Sequence, residues 1–195
     1  MSNFNFVKTY SEPVIDKNEV LRYAGIKDVE NANLPLYDEV LKELDGKLSY
    51  KVCCVEAQVK ITGKICDFGF FKAESEKLSQ NLDGCKKVIL FAATLGVEID
   101  RLIAKYGALS PAKALILDAF GNERIEALCN TFCNELKENN LTLKPRFSPG
   151  YGDLAIEVQK EIFSVLGCQK KIGLTLNDSM LMSPSKSVTA FVGII

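Results

Sequence analysis

The segment RFSPGYGD, residues 146–153, contains residue types that suit the binding of a small charged ligand. Pro149 and Gly150 fit the two central positions of a type II turn, because proline presets φ near about −65° and glycine accepts the positive φ that follows. Arg146 precedes the turn and can hold a carboxylate through two parallel hydrogen bonds. Tyr151 follows it and offers a flat apolar face. The set suits an amino-acid-like molecule that carries an aromatic base.

The same segment also has a purely structural interpretation. Arg146 can pair with a surface carboxylate, and Tyr151 can fill part of the core, since both arrangements are common in proteins. The spacing of the residues leaves both interpretations open.

Composition excludes several classes of function. With 195 residues the chain suits one domain, for which we expect an N-terminal helical part over 1–50 and a sheet and ligand-binding part over 51–195. A net charge of −1 gives no excess of basic residues for nucleic acid binding. The longest apolar run, 88–95, is too short to span a bilayer, and the first ten residues lack a signal-peptide pattern. We therefore expect a cytoplasmic protein.

Histidine is absent from the sequence, which excludes histidine-based nucleophilic catalysis and histidine metal ligands. The seven cysteines are an odd number without a C-x-x-C pair, which is typical of reduced core thiols. Cys129 and Cys133 have the spacing of one helix face and could be two metal ligands. Zinc and iron–sulfur sites usually need three or four such ligands, so the core interpretation is favoured.

The elements that must position segment 146–153 follow from apolar periodicity and capping residues. Ser110 and Pro111 begin the longest predicted helix, which extends to about Lys137. Asp153 is suited to cap the next helix, which Gly167 ends. Two short helices are predicted earlier, over 17–24 and from 35 to 44 or 48. Alternation predicts strands over 53–61, 172–176 and 188–192, the first with one buried face, and an apolar run predicts a buried strand over 87–93.

Three stretches together resemble the activation (reactivation) domain of cobalamin-dependent methionine synthase, in a stand-alone form. They are RFSPGYGD, the helix LAIEVQKEIFSVLG after it, and IGLTLNDSMLMSPSKSVTAFVGI near the C-terminus. That family has an Arg-x-x-x-Gly-Tyr loop, a helix, and an I-G-(L/V)-x-(L/V)-(T/N)-(E/D)-S-x-x-M-x-P strand pair that ends in S-V-(S/T)-(A/G). Here these elements are Arg146 with Gly150 and Tyr151, then 172–184 and 187–190.

The resemblance implies an α+β fold, a single domain in which helices flank a bent antiparallel sheet. It also implies that S-adenosylmethionine binds on the surface, with Arg146 on the methionyl carboxylate. Gly150 and the backbone near Ser148 would contact the ligand closely, and Tyr151 would shape its pocket. Glu126, on the long helix, is the candidate for the amino group or the positive sulfonium region.

The family also has a ligand-contacting acid near the start of the domain. In this sequence the candidates for it are Asp16, Glu19, Asp28 and the other N-terminal acids, and the sequence does not choose among them.

The function implied by the resemblance is that of a reactivation subunit acting in trans on methionine synthase, in methionine biosynthesis. It would place S-adenosylmethionine as the methyl donor for the reductive methylation of Co(II)-cobalamin. Cobalamin would lie on a partner, the cobalamin-binding methionine synthase chain, with flavodoxin or ferredoxin as electron donor. The chain itself would supply position and orientation, without a catalytic acid, base or nucleophile of its own.

Two other classes of function compete with this interpretation. A structural or scaffold subunit could keep the fold without binding S-adenosylmethionine, although Arg146, Gly150 and Tyr151 argue against it. An independent methyltransferase is disfavoured, because the glycine-rich loop after a first strand is absent.

Overall fold

Runs of strands and runs of helices follow one another along the chain, which is described by a computed structural model for residues 5–26 and 35–195. The strands are β1 (Asn5–Thr9), β2 (Lys51–Gln58), β3 (Lys60–Thr62), β4 (Ile65–Asp67), β5 (Lys72–Glu74), β6 (Lys87–Thr94), β7 (Thr175–Leu176), β8 (Met182–Ser183) and β9 (Ser187–Ile194). The helices are α1 (Lys17–Tyr23), α2 (Pro35–Leu44), α3 (Glu76–Asn81), α4 (Glu98–Leu109), α5 (Pro111–Glu138), α6 (Val158–Leu166) and α7 (Cys168–Ile172).

The central sheet has four antiparallel strands in the order β1-β2-β6-β9. Both of its faces are buried: Cys53 and Val55 of β2 belong to one core cluster, and Val52 and Cys54 belong to the other. The prediction of one buried face for this strand is therefore wrong. Helices cover both sides of the sheet, so the alternating Lys and Glu residues of the sequence do not mark a solvent face.

The chain leaves the central sheet at Val59, whose N–H donates to the carbonyl of Lys86 (3.0 Å). It then enters a separate sheet in the order β3-β4-β5, and β7 pairs with β8 in a third. Helix α5 packs on one face of the central sheet through residues such as Leu128 and Phe132, and α6 packs on the other through Ile162. The predicted class, an α+β fold with an antiparallel sheet flanked by helices, is confirmed. In the two described ranges, no helix has the length and apolar character needed to cross a membrane.

The N-terminal part contains the two predicted short helices and also a strand. Asp16 caps α1, because its Oδ1 accepts from the backbone N–H groups of Asn18 (3.0 Å) and Glu19 (3.2 Å). Strand β1 precedes these helices and pairs with β2. This segment therefore belongs to the central sheet, and the chain returns across α5 to reach α1.

The predicted strand over 172–176 is mostly wrong. Ile172 ends the short helix α7, and the strand β7 contains only Thr175 and Leu176. Gly167 and Gly173 flank this helix with φ of 65° and 70°, the left-handed conformation that ends helices and that glycine adopts easily. Cys168 and Ile172 are both buried at helical spacing, so the apolar alternation from Ile172 onward was misleading.

Candidate functional site

Residues 148–151 form the predicted type II turn. The N–H of Tyr151 donates to the carbonyl of Ser148 (3.1 Å), and Gly150 has a φ of 83°. The N–H of Gly150 donates to the carbonyl of Leu154 (2.9 Å), which closes a second turn behind the first. The loop is therefore shaped by its own backbone hydrogen bonds.

The segment before the turn is attached to the edge of the central sheet. Phe147 exchanges two backbone hydrogen bonds with Phe191 of β9 (3.0 and 2.8 Å), and its side chain is buried in the core cluster on the α6 side. Because successive side chains of an extended chain point to opposite faces, Arg146 is directed to the α5 side of the sheet.

On that side Arg146 meets Glu126, which lies on α5. Nη2 of Arg146 is 2.8 Å from Oε2 of Glu126, and the two side chains are 25% and 44% exposed. The other guanidinium nitrogen, Nη1, is buried and has no hydrogen-bond partner among the described residues. Two residues that sequence analysis assigned to one site are thus in contact, and the arginine retains spare donor capacity.

A groove runs along the surface of α5 on both sides of this ion pair. One part, about 600 Å³, is lined by Arg146 and by the segment before it. The other part, about 430 Å³, is lined by Glu126 and by residues of the N-terminal segment. Asn130 and Asn134 line both parts, so the two adjoin along the helix.

The N-terminal wall of the groove includes Asp16 and Glu19, two of the three acids named as candidates from the sequence. Glu19 forms an ion pair with Arg22 (2.6 Å), and this hydrogen bond lowers the pKa of Glu19. Asp16 caps α1. The third candidate, Asp28, lies outside the described residues.

The remaining predicted site residues lie in the turn beside the groove. The Tyr151 ring is 66% exposed and packs edge-on against Phe147, with ring centroids 5.3 Å apart. The alternative in which Tyr151 fills the core is therefore wrong. Neither Ser148, Gly150 nor Tyr151 is among the described residues that line the two parts of the groove.

Asp153 caps a different helix from the predicted one. Its carboxylate accepts from Oγ of Ser75 (2.5 Å) and from the N–H groups of Glu76 (2.7 Å) and Lys77 (3.2 Å) at the start of α3. These bonds, led by that of Ser75, lower the pKa of Asp153. The predicted capping of the following helix is wrong, because α6 begins only at Val158 and the intervening residues form turns. Asp153 instead ties segment 146–153 to α3.

The cysteines contribute to the core on both faces of the central sheet. All seven lie in the described ranges as free thiols, and only Cys133 is partly exposed. Burial raises the pKa of Cys129 to about 12, while the nearby charge of Arg146 acts in the opposite direction. The thiol of Cys129 is therefore protonated at neutral pH.

Sequence analysis missed the buried pair formed by Glu123 and Arg124, which lies next to the groove on α5. Arg124 is 1% exposed and bonds to Glu123 and to the backbone of the N-terminal segment. A signal was present in the sequence: Arg124 falls at i+4 from Phe120 and i−4 from Leu128, within an apolar stripe where a charge requires an explanation.

The fold is that of a reactivation domain of the methionine synthase type. A solved structure described as "Crystal Structure of the MetH Reactivation Domain bound to AdoHcy" superposes with a TM-score of 0.73, covering 97% of this chain and 78% of the other. The two sequences are 16% identical over this match, so the likeness establishes the fold. No protein-family model matches the sequence. A search of curated proteins also gives no match.

Proposed function

We propose that this chain binds S-adenosylmethionine and acts in trans as the reactivation subunit of a cobalamin-dependent methionine synthase. It places the methyl donor for the reductive methylation of Co(II)-cobalamin on a partner chain. The fold supports this proposal, because the similar MetH domain binds AdoHcy, S-adenosylhomocysteine, which differs from S-adenosylmethionine by the absence of the transferable methyl group.

The observation that carries the proposal is the unsatisfied donor of Arg146. A buried N–H without a partner costs free energy, so such groups are rare in native proteins. Within the described residues, Nη1 of Arg146 is such a group, and Arg146 is one of the residues that line the groove. A ligand carboxylate would satisfy it with a charge-assisted hydrogen bond. Glu126, paired with the same arginine and 44% exposed, can accept from the ligand ammonium.

The size of the groove fits a small-molecule ligand, and the turn follows Arg146 without lining the groove itself. The two parts of the groove, about 600 and 430 Å³, fall in the range of ordinary small-molecule sites. The exposed ring of Tyr151, supported by Phe147, offers a face on which an adenine ring can stack. Ser148 and Gly150 hold the backbone of that turn and would lie against the adenosyl group.

In this proposal the chain contributes binding and orientation. The partner's cobalamin would accept the methyl group with one electron from a flavodoxin or a ferredoxin, and S-adenosylhomocysteine would be released. Arg146 and Glu126 would hold the two charges of the amino-acid end and so fix the orientation of the ligand. Such positioning can account for a large share of a rate enhancement without an acid or base. The proposed location is the cytoplasm.

The alternative of a scaffold subunit is favoured by one observation, the ion pair itself. Arg146 already has Glu126 as a partner, which is what a structural role requires. In that case S-adenosylmethionine does not bind, and the Arg146–Glu126 pair serves only to attach the loop to α5.

Calorimetric titration of S-adenosylmethionine into the purified chain, with and without the cobalamin-binding partner, separates the two functions. We expect Arg146→Ala to weaken binding by about ten- to a hundredfold, because a charge-assisted contact contributes on the order of 1.5 to 3 kcal/mol. Arg146→Lys should recover only part of the loss, since lysine lacks the planar fork. Arg101→Ala, which removes an exposed ion pair with Glu98, is the matched control and should bind normally. Unchanged affinity in Arg146→Ala, or no binding by wild type with the partner present, would leave the scaffold function.

A further inference from the structure

The second wall of the groove is attached to α5 by two adjacent charged residues. Arg124 donates from Nη1 to the carbonyl of Pro13 (2.5 Å) and from Nη2 to the carbonyl of Val14 (2.8 Å). Glu123 accepts from the N–H of Asp16 (3.2 Å) and forms a bidentate pair with Arg124. The two side chains thus bind both ends of segment 13–16.

This attachment is unusual because both charges are buried. The side chains of Arg124 and Glu123 are 1% and 5% exposed. Removing two charges from water costs several kcal/mol, which their attraction offsets only if the remaining donors and acceptors are also satisfied. Here the backbone of segment 13–16 satisfies them. The pair and the segment therefore depend on each other.

Apolar burial explains the position of this segment only in part: Ile15 packs against a core cluster, but Val14 does not. Val14 is 93% exposed, and its side chain lines the groove. Its carbonyl, in contrast, is held by Arg124 on the opposite side of the backbone. The polar contacts with Glu123 and Arg124 thus determine where the backbone of Val14 crosses α5.

We propose that Glu123 and Arg124 are positioning residues of the ligand site, which hold segment 13–16 as the second wall of the groove that begins at Arg146. This inference rests on the proposed function for the identity of the ligand. It adds that affinity depends on a wall formed by Pro13, Val14 and Asp16, and that the exposed side chain of Val14 lies beside the ligand.

The first test measures the attachment itself, without ligand. Arg124→Lys keeps a positive charge beside Glu123 but cannot reach both backbone carbonyls. We expect hydrogen exchange at the amide of Asp16 to become about tenfold faster or more, since the segment then opens locally. Lys113→Met is the control: Lys113 is also buried and ion-paired, but it lies on α5 about 20 Å from Glu126, at 1.5 Å per residue. It should leave exchange at Asp16 unchanged.

The second test uses ligand and a variant that cannot disturb the core. Val14→Lys adds a positive charge to the wall, and Leu109→Lys adds the same charge at a 73% exposed position outside the groove. We expect Val14→Lys to lower the affinity for S-adenosylmethionine by about three- to tenfold, because the added charge repels the sulfonium. The affinity for S-adenosylhomocysteine, which has an uncharged thioether instead, should fall less. Leu109→Lys should change neither affinity. Arg124→Lys should lower the affinity for both ligands, whereas Lys113→Met should leave both affinities unchanged.

The outcomes distinguish the two proposals. Normal affinity for both ligands in Val14→Lys and Arg124→Lys, with binding by wild type, would overturn the positioning role and leave the proposed function in place. Unchanged exchange at Asp16 in Arg124→Lys would overturn it without reference to any ligand. Binding of neither ligand to wild type, with the partner present, would overturn the proposed function and this inference together.

Discussion

Helix α5 carries two glutamates, three positions apart, that each pair with an arginine, and the two pairs differ in how far they are buried. Glu123 and Arg124 are 5% and 1% exposed, whereas Glu126 and Arg146 are 44% and 25% exposed. The buried pair has neighbouring backbone groups to satisfy it, and the half-exposed pair leaves Nη1 of Arg146 without a partner among the residues described.

The difference shows how one helix can supply both a fixed wall and an adjustable contact. A buried ion pair cannot exchange partners cheaply, because any separated charge would remain out of water. A half-exposed pair is weakly bound, since water screens the attraction and hydrates either member when it is released. Glu123 and Arg124 therefore suit positioning, and Glu126 and Arg146 suit the exchange of one carboxylate for another.

The largest effect that would test this comparison is expected for Arg124→Met. We expect the free energy of unfolding to fall by about 3 to 5 kcal/mol, because Glu123 is left as an unpaired buried charge. Urea denaturation at neutral pH measures the loss. The double variant Glu123→Gln with Arg124→Met removes both charges and should recover much of it. A single-variant loss below about 1 kcal/mol would show that the pair is not effectively buried.

The turn that carries the half-exposed pair should respond to Gly150→Ala. Gly150 has a φ of 83°, and a Cβ there would lie 2.9 Å from Cδ1 of Ile156. The flexible end of Ile156 can move, so the backbone strain of about 1 to 2 kcal/mol should dominate the loss of stability. Gly63→Ala, at a φ of 60° in another turn, is the control. Both variants should have a lower melting temperature in thermal denaturation, but only Gly150→Ala should weaken ligand binding. Equal affinities of the two variants would show that the turn is not part of the binding site.

A pH-dependent effect is expected where the loop is tied to α3. The folded pKa of Asp153 is lowered, so its carboxylate stabilises the fold above the unfolded pKa of about 3.9. This contribution is lost as the pH falls through the lower, folded pKa. The urea concentration at the midpoint of unfolding should therefore be higher for wild type than for Asp153→Asn at pH near 6. This difference in midpoint should become smaller toward about pH 3. A difference that stays constant with pH would contradict the ionic character of this cap.

The smallest effect on stability is expected for Arg146→Ala. Glu126 remains largely hydrated when its partner is lost, so the free energy of unfolding should change by no more than about 1 kcal/mol. The measurement is the same urea denaturation used for Arg124→Met. A loss of about 3 kcal/mol or more would show that the Arg146–Glu126 pair stabilises the fold as strongly as the buried pair does. The two pairs would then not differ as described.

Several local features of this protein were predictable from neighbouring residues alone. The turn at Pro149 and Gly150 forms as predicted because proline and glycine set the backbone torsions directly. Asp16 caps α1, and Pro111 begins α5, for equally local reasons. The resemblance carried by RFSPGYGD and the C-terminal strands also led to the correct fold.

Features that depend on distant partners were predicted less well. β2 is buried on both faces because α5 and α6 cover opposite sides of the sheet, which the alternation of its residues does not reveal. Asp153 caps α3, more than seventy positions earlier in the chain. A carboxylate caps whichever helix start the tertiary structure brings near it.

For the candidate site, the sequence by itself determined the residue types and the turn: an arginine, a tyrosine and a backbone shaped by Pro149 and Gly150. Only the tertiary structure decided that Arg146 meets Glu126 and that segment 13–16 lies beside them. The physical reason is the range of the forces involved. Turns arise from torsional preferences within a few residues, whereas the groove requires β9 to direct Arg146 toward α5 and the buried Arg124 to hold a segment 110 positions away.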